Sequence, residues 1–180
     1  MGNYKGTGVV FMQGLLKRHG RAIEQKFLSQ LTPKERDYFR QTLEFHWIPI
    51  EVITRFFELA APLIYPADTS GLRRIGREMA RDHLQGVYRI VLRVVTIEYI
   101  VEKAARLWRT YHQSGTTRME RIGDHQLHFV VLGYPDLPSA FRECTSGYIA
   151  GVLELAGARD IHIVRTNDNP QEWRWKLAWS

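Results

Sequence analysis

Apolar and polar positions alternate in the last third of the chain and recur at three- and four-residue steps before it. Between Gly115 and Ser180, Leu127, Phe129 and Val131 alternate with Gln126 and His128. The closing run places Trp173, Trp175, Leu177 and Trp179 on one face and Arg174, Lys176 and Ala178 on the other. These periods predict two strand pairs of an antiparallel sheet with one apolar face, the first pair turning at Gly123-Asp124, where residues tolerant of positive backbone angles are needed. Between the pairs, Phe141, Cys144, Thr145, Tyr148, Val152 and Leu155 fall on one helical stripe. That helix starts near Ser139, after Pro135 and Pro138, and Gly157 stands where a C-cap glycine would. The Trp face is its natural partner.

The first 114 residues read as mainly helical. A short apolar run, Val9-Val10-Phe11, leads into a helix expected from about Met12 to Leu31, where Leu15, Leu16, His19, Ile23, Phe27 and Leu31 share a face and Gly14 and Gly20 are weak points. Thr32-Pro33-Lys34-Glu35 has the N-cap, N1 proline and N3 glutamate of a capping box. Trp47-Ile48-Pro49 marks another helix start, and the apolar helix that follows closes at Pro62 and Pro66. The loop Asp68-Thr69-Ser70-Gly71 launches the longest pattern: Leu72, Ile75, Met79, His83, Val87, Ile90 and Val94 on one face, Arg73, Arg74, Arg77 and Arg81 opposite. A break near Val95-Thr96 precedes a helix carrying Ile97, Ile100, Val101, Ala104, Trp108 and Tyr111, ended by Gly115.

The expected architecture is therefore α+β: a helical layer packed on a four-stranded antiparallel sheet, in one domain spanning 1–180 with a mainly helical part, 1–114, and a strand-strand-helix-strand-strand part, 115–180. A length of 180 residues suits a single core. One cysteine excludes an internal disulfide or multi-cysteine zinc site. No stretch approaches the roughly 18 uncharged residues of a membrane span, and Met1-Gly2-Asn3-Tyr4-Lys5-Gly6 lacks a signal-peptide pattern, so the cytoplasm is the expected compartment. A net charge of +6 raises nucleic acid or anionic lipid as partners, and the excess is concentrated in residues 71–121. Glu78 and Asp82 interrupt the arginine face, however, and no reading motif accompanies it. A solvated face is expected and nucleic-acid binding is not.

Few residues point to chemistry. His83 lies on an apolar helix face, where it is either an axial haem ligand or pocket donor, or a core histidine satisfied by a backbone carbonyl; the second is preferred, since buried polar groups are generally paired. The tryptophans could form a ligand wall or a base-stacking platform, but covering them with the amphipathic helix removes more apolar surface from water. Gly147 and Gly151 form a G-x-x-x-G spacing that permits close approach of another backbone, either the sheet beneath or a second subunit, and packing is the preferred meaning. Cys144 lies on the buried stripe and has no activating neighbour in the pattern. There is no phosphate loop, nucleophile elbow or His-x-x-x-His pair, and no enzymatic chemistry is expected.

The order of helices, hairpin, helix and two strands resembles the fold shared by haem–nitric-oxide-binding domains, the vinyl-reductase small-molecule-binding domain and the Bet3-like subunits of a vesicle-tethering complex. The chain most resembles a bacterial family of this length found mainly in myxobacteria. Lys5-Gly6, Trp47-Ile48-Pro49-Ile50, Gly76-Arg77-Glu78-Met79-Ala80, Leu107-Trp108-Arg109-Thr110-Tyr111 and the segment from Cys144 to Leu155 followed by Gly157 carry that resemblance. It implies a non-enzymatic sensory or regulatory domain that binds a small apolar ligand between the long helix and the sheet, lined by His83, Trp108, Tyr148, Trp173 and Trp175. The alternative is a module that forms a homodimer or docks a protein partner through Gly147 and Gly151 or an exposed sheet edge. A haem gas sensor is the third reading, with His83 its ligand by position. Against it, the haem-propionate signature Tyr-x-Ser-x-Arg is missing at Tyr111-His112-Gln113-Ser114; separately, Thr166-Asn167-Asp168 and Trp173 stand where vinyl-reductase-type domains carry cysteines, which counts against a metal role.

Overall fold

The structure, a computed structural model, describes residues 2–84 and 97–180. Two short strands close its N-terminal end: β1 (Asn3–Lys5) pairs antiparallel with β2 (Trp47–Pro49), Tyr4 opposite Ile48. Trp47-Ile48-Pro49 thus forms a strand before it leads into a helix. The pairing joins residues more than forty apart, which a local period cannot report. Tyr4 also bridges to His112, so the chain start is tied to the far end of the helical half.

Helix α1 (Thr7–His19) begins earlier than Met12, because Val9 and Phe11 supply its buried face together with Met12, Leu15 and Leu16. The single helix expected to run to Leu31 is broken at Gly20, whose φ of 102° only glycine adopts readily; α2 (Arg21–Ser29) leaves in a new direction. Helix α3 (Pro33–Gln41) opens on the expected capping box, Thr32 Oγ1 accepting from Glu35 N at 3.3 Å and Glu35 Oε2 from Thr32 N at 2.8 Å. Helix α4 (Ile50–Ile64) is the buried apolar helix, with Phe56 and Phe57 fully inside. Helix α5 (Gly71–His83) carries Ile75 and Met79 inward. The expected continuation through Val87, Ile90 and Val94 and the break near Val95-Thr96 lie outside the described residues, as do the side chains of Ile97, Val101 and Ala104 on the next helix, α6 (Ile97–Tyr111).

Strands β3 (Thr116–Gly123), β4 (Gln126–Leu132), β5 (His162–Asn169) and β6 (Glu172–Ala178) form one antiparallel sheet in the order β3-β4-β6-β5. The register sets Phe129 opposite Trp175, Leu127 opposite Leu177 and Val131 opposite Trp173, all buried on one face. The other face holds Glu120, His128, Glu172 and Arg174, joined by ion pairs such as Arg174 to Glu120 at 2.8 Å.

Helix α7 (Ser139–Leu155) is buried on two sides, not one. Its stripe of Phe141, Cys144 and Thr145 is covered, and Ser146 accepts from Trp175 Nε1 at 3.0 Å on the sheet side. Its opposite side is pressed onto α5 so closely that a Cβ on Gly147 would stand 1.9 Å from the Arg73 carbonyl oxygen, and one on Gly76 of α5 at 1.9 Å from that of Cys144. Gly151 meets Ala80 and the Arg77 backbone in the same way. The interface expected of Gly147 and Gly151 between copies is therefore an internal one, because α5 already occupies it. The layers run α5, α7, sheet.

Candidate functional site

A cavity of about 110 Å³ opens where α6, α7 and the inner face of the sheet meet. Leu107 and Trp108 of α6, Leu127 and Phe129 of β4, Leu177 of β6 and Ile149, Val152 and Leu153 of α7 make most of its wall. These are the inward positions of two helical stripes and of the alternating strands, so the period that builds the core also builds the cavity. Its polar contributions come from one region, where Tyr4, Tyr111, His112, Thr145 and Tyr148 converge.

His112 follows α6 directly and lies one turn beyond Trp108, whose ring it stacks on at 3.7 Å between centroids and 4° between planes. Tyr4 meets it edge-on at 4.9 Å and Phe141 at 5.5 Å. The imidazole is 7% exposed, and its Nδ1 is shut off from solvent without a hydrogen-bond partner. Burial pushes its pKa down to about 3, so the ring is neutral under ordinary conditions. Tyr148 presents a second buried hydroxyl, whose one neighbour for a hydrogen bond among the described residues is the Tyr111 hydroxyl; its pKa is raised mainly by burial, with Tyr111 and Tyr4 adding to the shift. The Tyr4 hydroxyl reaches only the Met79 thioether, at 3.9 Å, a weak acceptor. Thr145 is satisfied by donating to the Phe141 carbonyl at 3.0 Å.

Of the five lining residues expected from the sequence, Trp108 and Tyr148 stand in the cavity wall. His83 stands behind it, stacked on Tyr111 at 5.0 Å with Tyr148 at 5.9 Å. Thr7 supplies a backbone partner of the kind expected for His83, and a weak one: neither buried ring nitrogen makes a well-formed hydrogen bond among the described residues, and burial lowers the pKa while the Thr7 backbone opposes the shift. Trp173 and Trp175 are absent from the wall because α7 covers them: Trp175 donates to Ser146, Trp173 donates to the Tyr134 carbonyl at 2.7 Å, and the Arg142 guanidinium lies 3.7 Å over the Trp173 ring. Their polar edges are used in packing sheet to helix.

His112 and Tyr4 are the site residues that the sequence reading passed over. The signal for His112 was its four-residue step from Trp108; for Tyr4 there was none, since its place depends on the β1–β2 pairing. Cys144, fully buried, has its pKa raised by that burial, as expected of an inert core thiol. The arginine face is paired along its length: Arg73 with Glu143 at 2.7 Å, Arg74 with Asp68 at 3.2 Å, and Arg77 and Arg81 with Glu154 at 3.2 and 3.0 Å. Those three carboxylates offset most of the charge of the four arginines.

A family profile for a protein of unknown function, DUF2378, matches residues 9–180. The chain belongs to the DUF2378 family. Among curated proteins none matches the sequence. Solved structures of H-NOX proteins match over nearly the full length: the Fe(II) unliganded protein from K. algicida at 11% identity, covering 98% of this chain and 96% of its own, TM-score 0.69; a point mutant of the T. tengcongensis protein at 12%, 98% and 97%, TM-score 0.66; and an oxygen-binding domain related to soluble guanylate cyclases at 9%, 97% and 92%, TM-score 0.63. The DUF2378 chain therefore has the H-NOX-like α+β fold.

Haem is a topic of the H-NOX structures, and the described residues of this chain do not fit it. A cavity of about 110 Å³ is well below the several hundred Å³ that even drug-sized ligands require. Among the described residues no Lys or Arg stands in the wall to meet propionates, and His83 is outside it. Among the described residues no group of three His, Cys, Asp or Glu could hold a metal ion, and no helix is long and apolar enough to cross a membrane.

Proposed function

We propose that this DUF2378 protein is a sensory or regulatory domain that binds a small apolar molecule in the cavity between α6, α7 and the sheet. One observation carries the reading: an apolar cavity at the junction of three elements, in a fold whose solved examples include an oxygen-binding domain. A void of about 110 Å³ forfeits packing that a protein interior otherwise makes, and is large enough for a small ligand. Occupancy would restore those contacts and tie α6 to the sheet, which gives a route from ligand to the surface of α6.

Native mass spectrometry of the protein purified from its own host, followed by denaturing extraction, tests this. The expected result is a small neutral molecule at one per chain. Recovery of a ligand-free protein whose denaturation midpoint stays fixed across a panel of small apolar molecules would count against it.

A second reading, docking of a protein partner, has its own support. Leu43, Phe45 and Trp47 are 52%, 67% and 36% exposed on the segment joining α3 to α4, three large apolar side chains within five residues. Light scattering of the purified protein distinguishes the two, since a self-associating module gives a mass that rises with concentration.

A further inference from the structure

Three polar groups at one end of the cavity lack a strong hydrogen-bond partner. Among the described residues, His112 Nδ1 is buried without a hydrogen bond, the Tyr148 hydroxyl has only the neighbouring Tyr111 hydroxyl to pair with, and the Tyr4 hydroxyl, edge-on to His112 at 4.9 Å between rings, has only a thioether at 3.9 Å. Leaving such groups unpaired in a dry interior is unfavourable, and native interiors rarely do it without a reason. Two tyrosines and a histidine in this state, in the wall of an otherwise aliphatic and aromatic cavity, are what a site looks like when its ligand supplies the missing partner.

Resting on the binding reading above, we propose that the cavity takes a small neutral molecule with one hydrogen-bonding group, its apolar body against α7 and β4 and its polar head against His112 Nδ1 and the Tyr148 hydroxyl. Size limits the body. An apolar cavity of about 150 Å³ accepts benzene, and this one, at about 110 Å³, suits a ring or branched chain of about five carbons. Charge is disfavoured on both signs: among the described residues no Lys, Arg, Asp or Glu stands in the wall, and burial holds Tyr4, Tyr148 and His112 neutral. Tyrosine hydroxyls and a neutral imidazole can each donate or accept, so an alcohol, ketone or amide head satisfies the site.

Titration with cyclopentane, cyclopentanol and cyclopentylamine, the last a cation at neutral pH, tests the assignment. Cyclopentanol is expected to bind roughly tenfold more tightly than cyclopentane, the scale of one satisfied buried hydrogen bond, and cyclopentylamine is expected not to bind. Tyr148→Phe removes one hydroxyl and keeps the ring, and should erase most of the preference for cyclopentanol while leaving cyclopentane affinity unchanged. His112→Phe, which keeps a stacked ring on Trp108, provides a second variant should the first perturb folding. Equal affinity for cyclopentane and cyclopentanol overturns the polar-head assignment and leaves apolar binding standing. Failure of all three compounds to bind overturns both.

Discussion

His112 is neutral because it is buried, and that makes it a pH-dependent element of stability. A histidine in the unfolded chain titrates near 6.5, whereas in the fold burial pushes this one down to about 3. The unfolded state therefore takes up a proton first as pH falls, so the contribution of His112 is whole above the unfolded pKa and is lost as pH drops from 6.5 towards the folded value. At one pKa unit per about 1.4 kcal/mol, the loss reaches about 2 kcal/mol by pH 5. His83, whose pKa burial also lowers, acts in the same sense. Urea unfolding at pH 7.5 and pH 5 should show this drop, and His112→Gln should flatten it by more than half. An unchanged slope in the variant would show the ring to be accessible to protons in the native state.

Among the elements, the α5–α7 contact determines how near two backbones must come, and three glycines on its facing surfaces permit it. Gly147→Ala places a methyl group 1.9 Å from a backbone oxygen, which no side-chain rotation relieves. Overpacking of this kind costs roughly 1–3 kcal/mol, and a fall of several degrees in melting temperature is expected for a chain of this size. Gly14→Ala in α1 is the contrasting case: its new methyl would meet only the far end of the Arg18 side chain at 3.4 Å, and replacing a mid-helix glycine should raise stability by about 0.5–1 kcal/mol. Parallel melting curves check both signs. Much of this level was legible in the sequence, because a local period reports which way a residue faces: the hairpin at Gly123-Asp124, the Trp face, the capping box at Thr32 and the cap at Gly157 all follow from neighbours within a few positions. What was not legible depends on distant pairing. The G-x-x-x-G spacing shows that something approaches α7 but not that it is α5, and the Trp face names its covering helix without showing that this packing uses up Trp173 and Trp175 and leaves the cavity to Trp108, Tyr148 and His112. Trp47-Ile48-Pro49 forms a strand only because Asn3–Lys5 arrives to pair with it.

For the whole molecule, the cavity links folding to binding. A ligand that fits only the native state adds RT ln(1 + [L]/Kd) to stability, while a side chain that fills the same space adds its packing energy once and leaves nothing to bind. Val152 is 7% exposed, lines the cavity and packs against Ala80 and Leu84. Val152→Ile adds one methylene, worth about 1 kcal/mol when it enters an existing void without strain. Without ligand the variant should be the more stable protein. With cyclopentanol as ligand the order should reverse, because wild-type stability climbs with concentration while the filled variant stays flat; a lead of about 1 kcal/mol is overtaken once free ligand exceeds roughly five times Kd. Denaturation midpoints measured across a cyclopentanol series give the crossing point directly. A variant less stable than wild type at zero ligand would mean that the space at Val152 is already filled, and parallel rises in both proteins would place the ligand elsewhere. The crossing is the result expected if the space left between α6, α7 and the sheet is a binding site: the protein then gives up apo stability at the position where its ligand restores it.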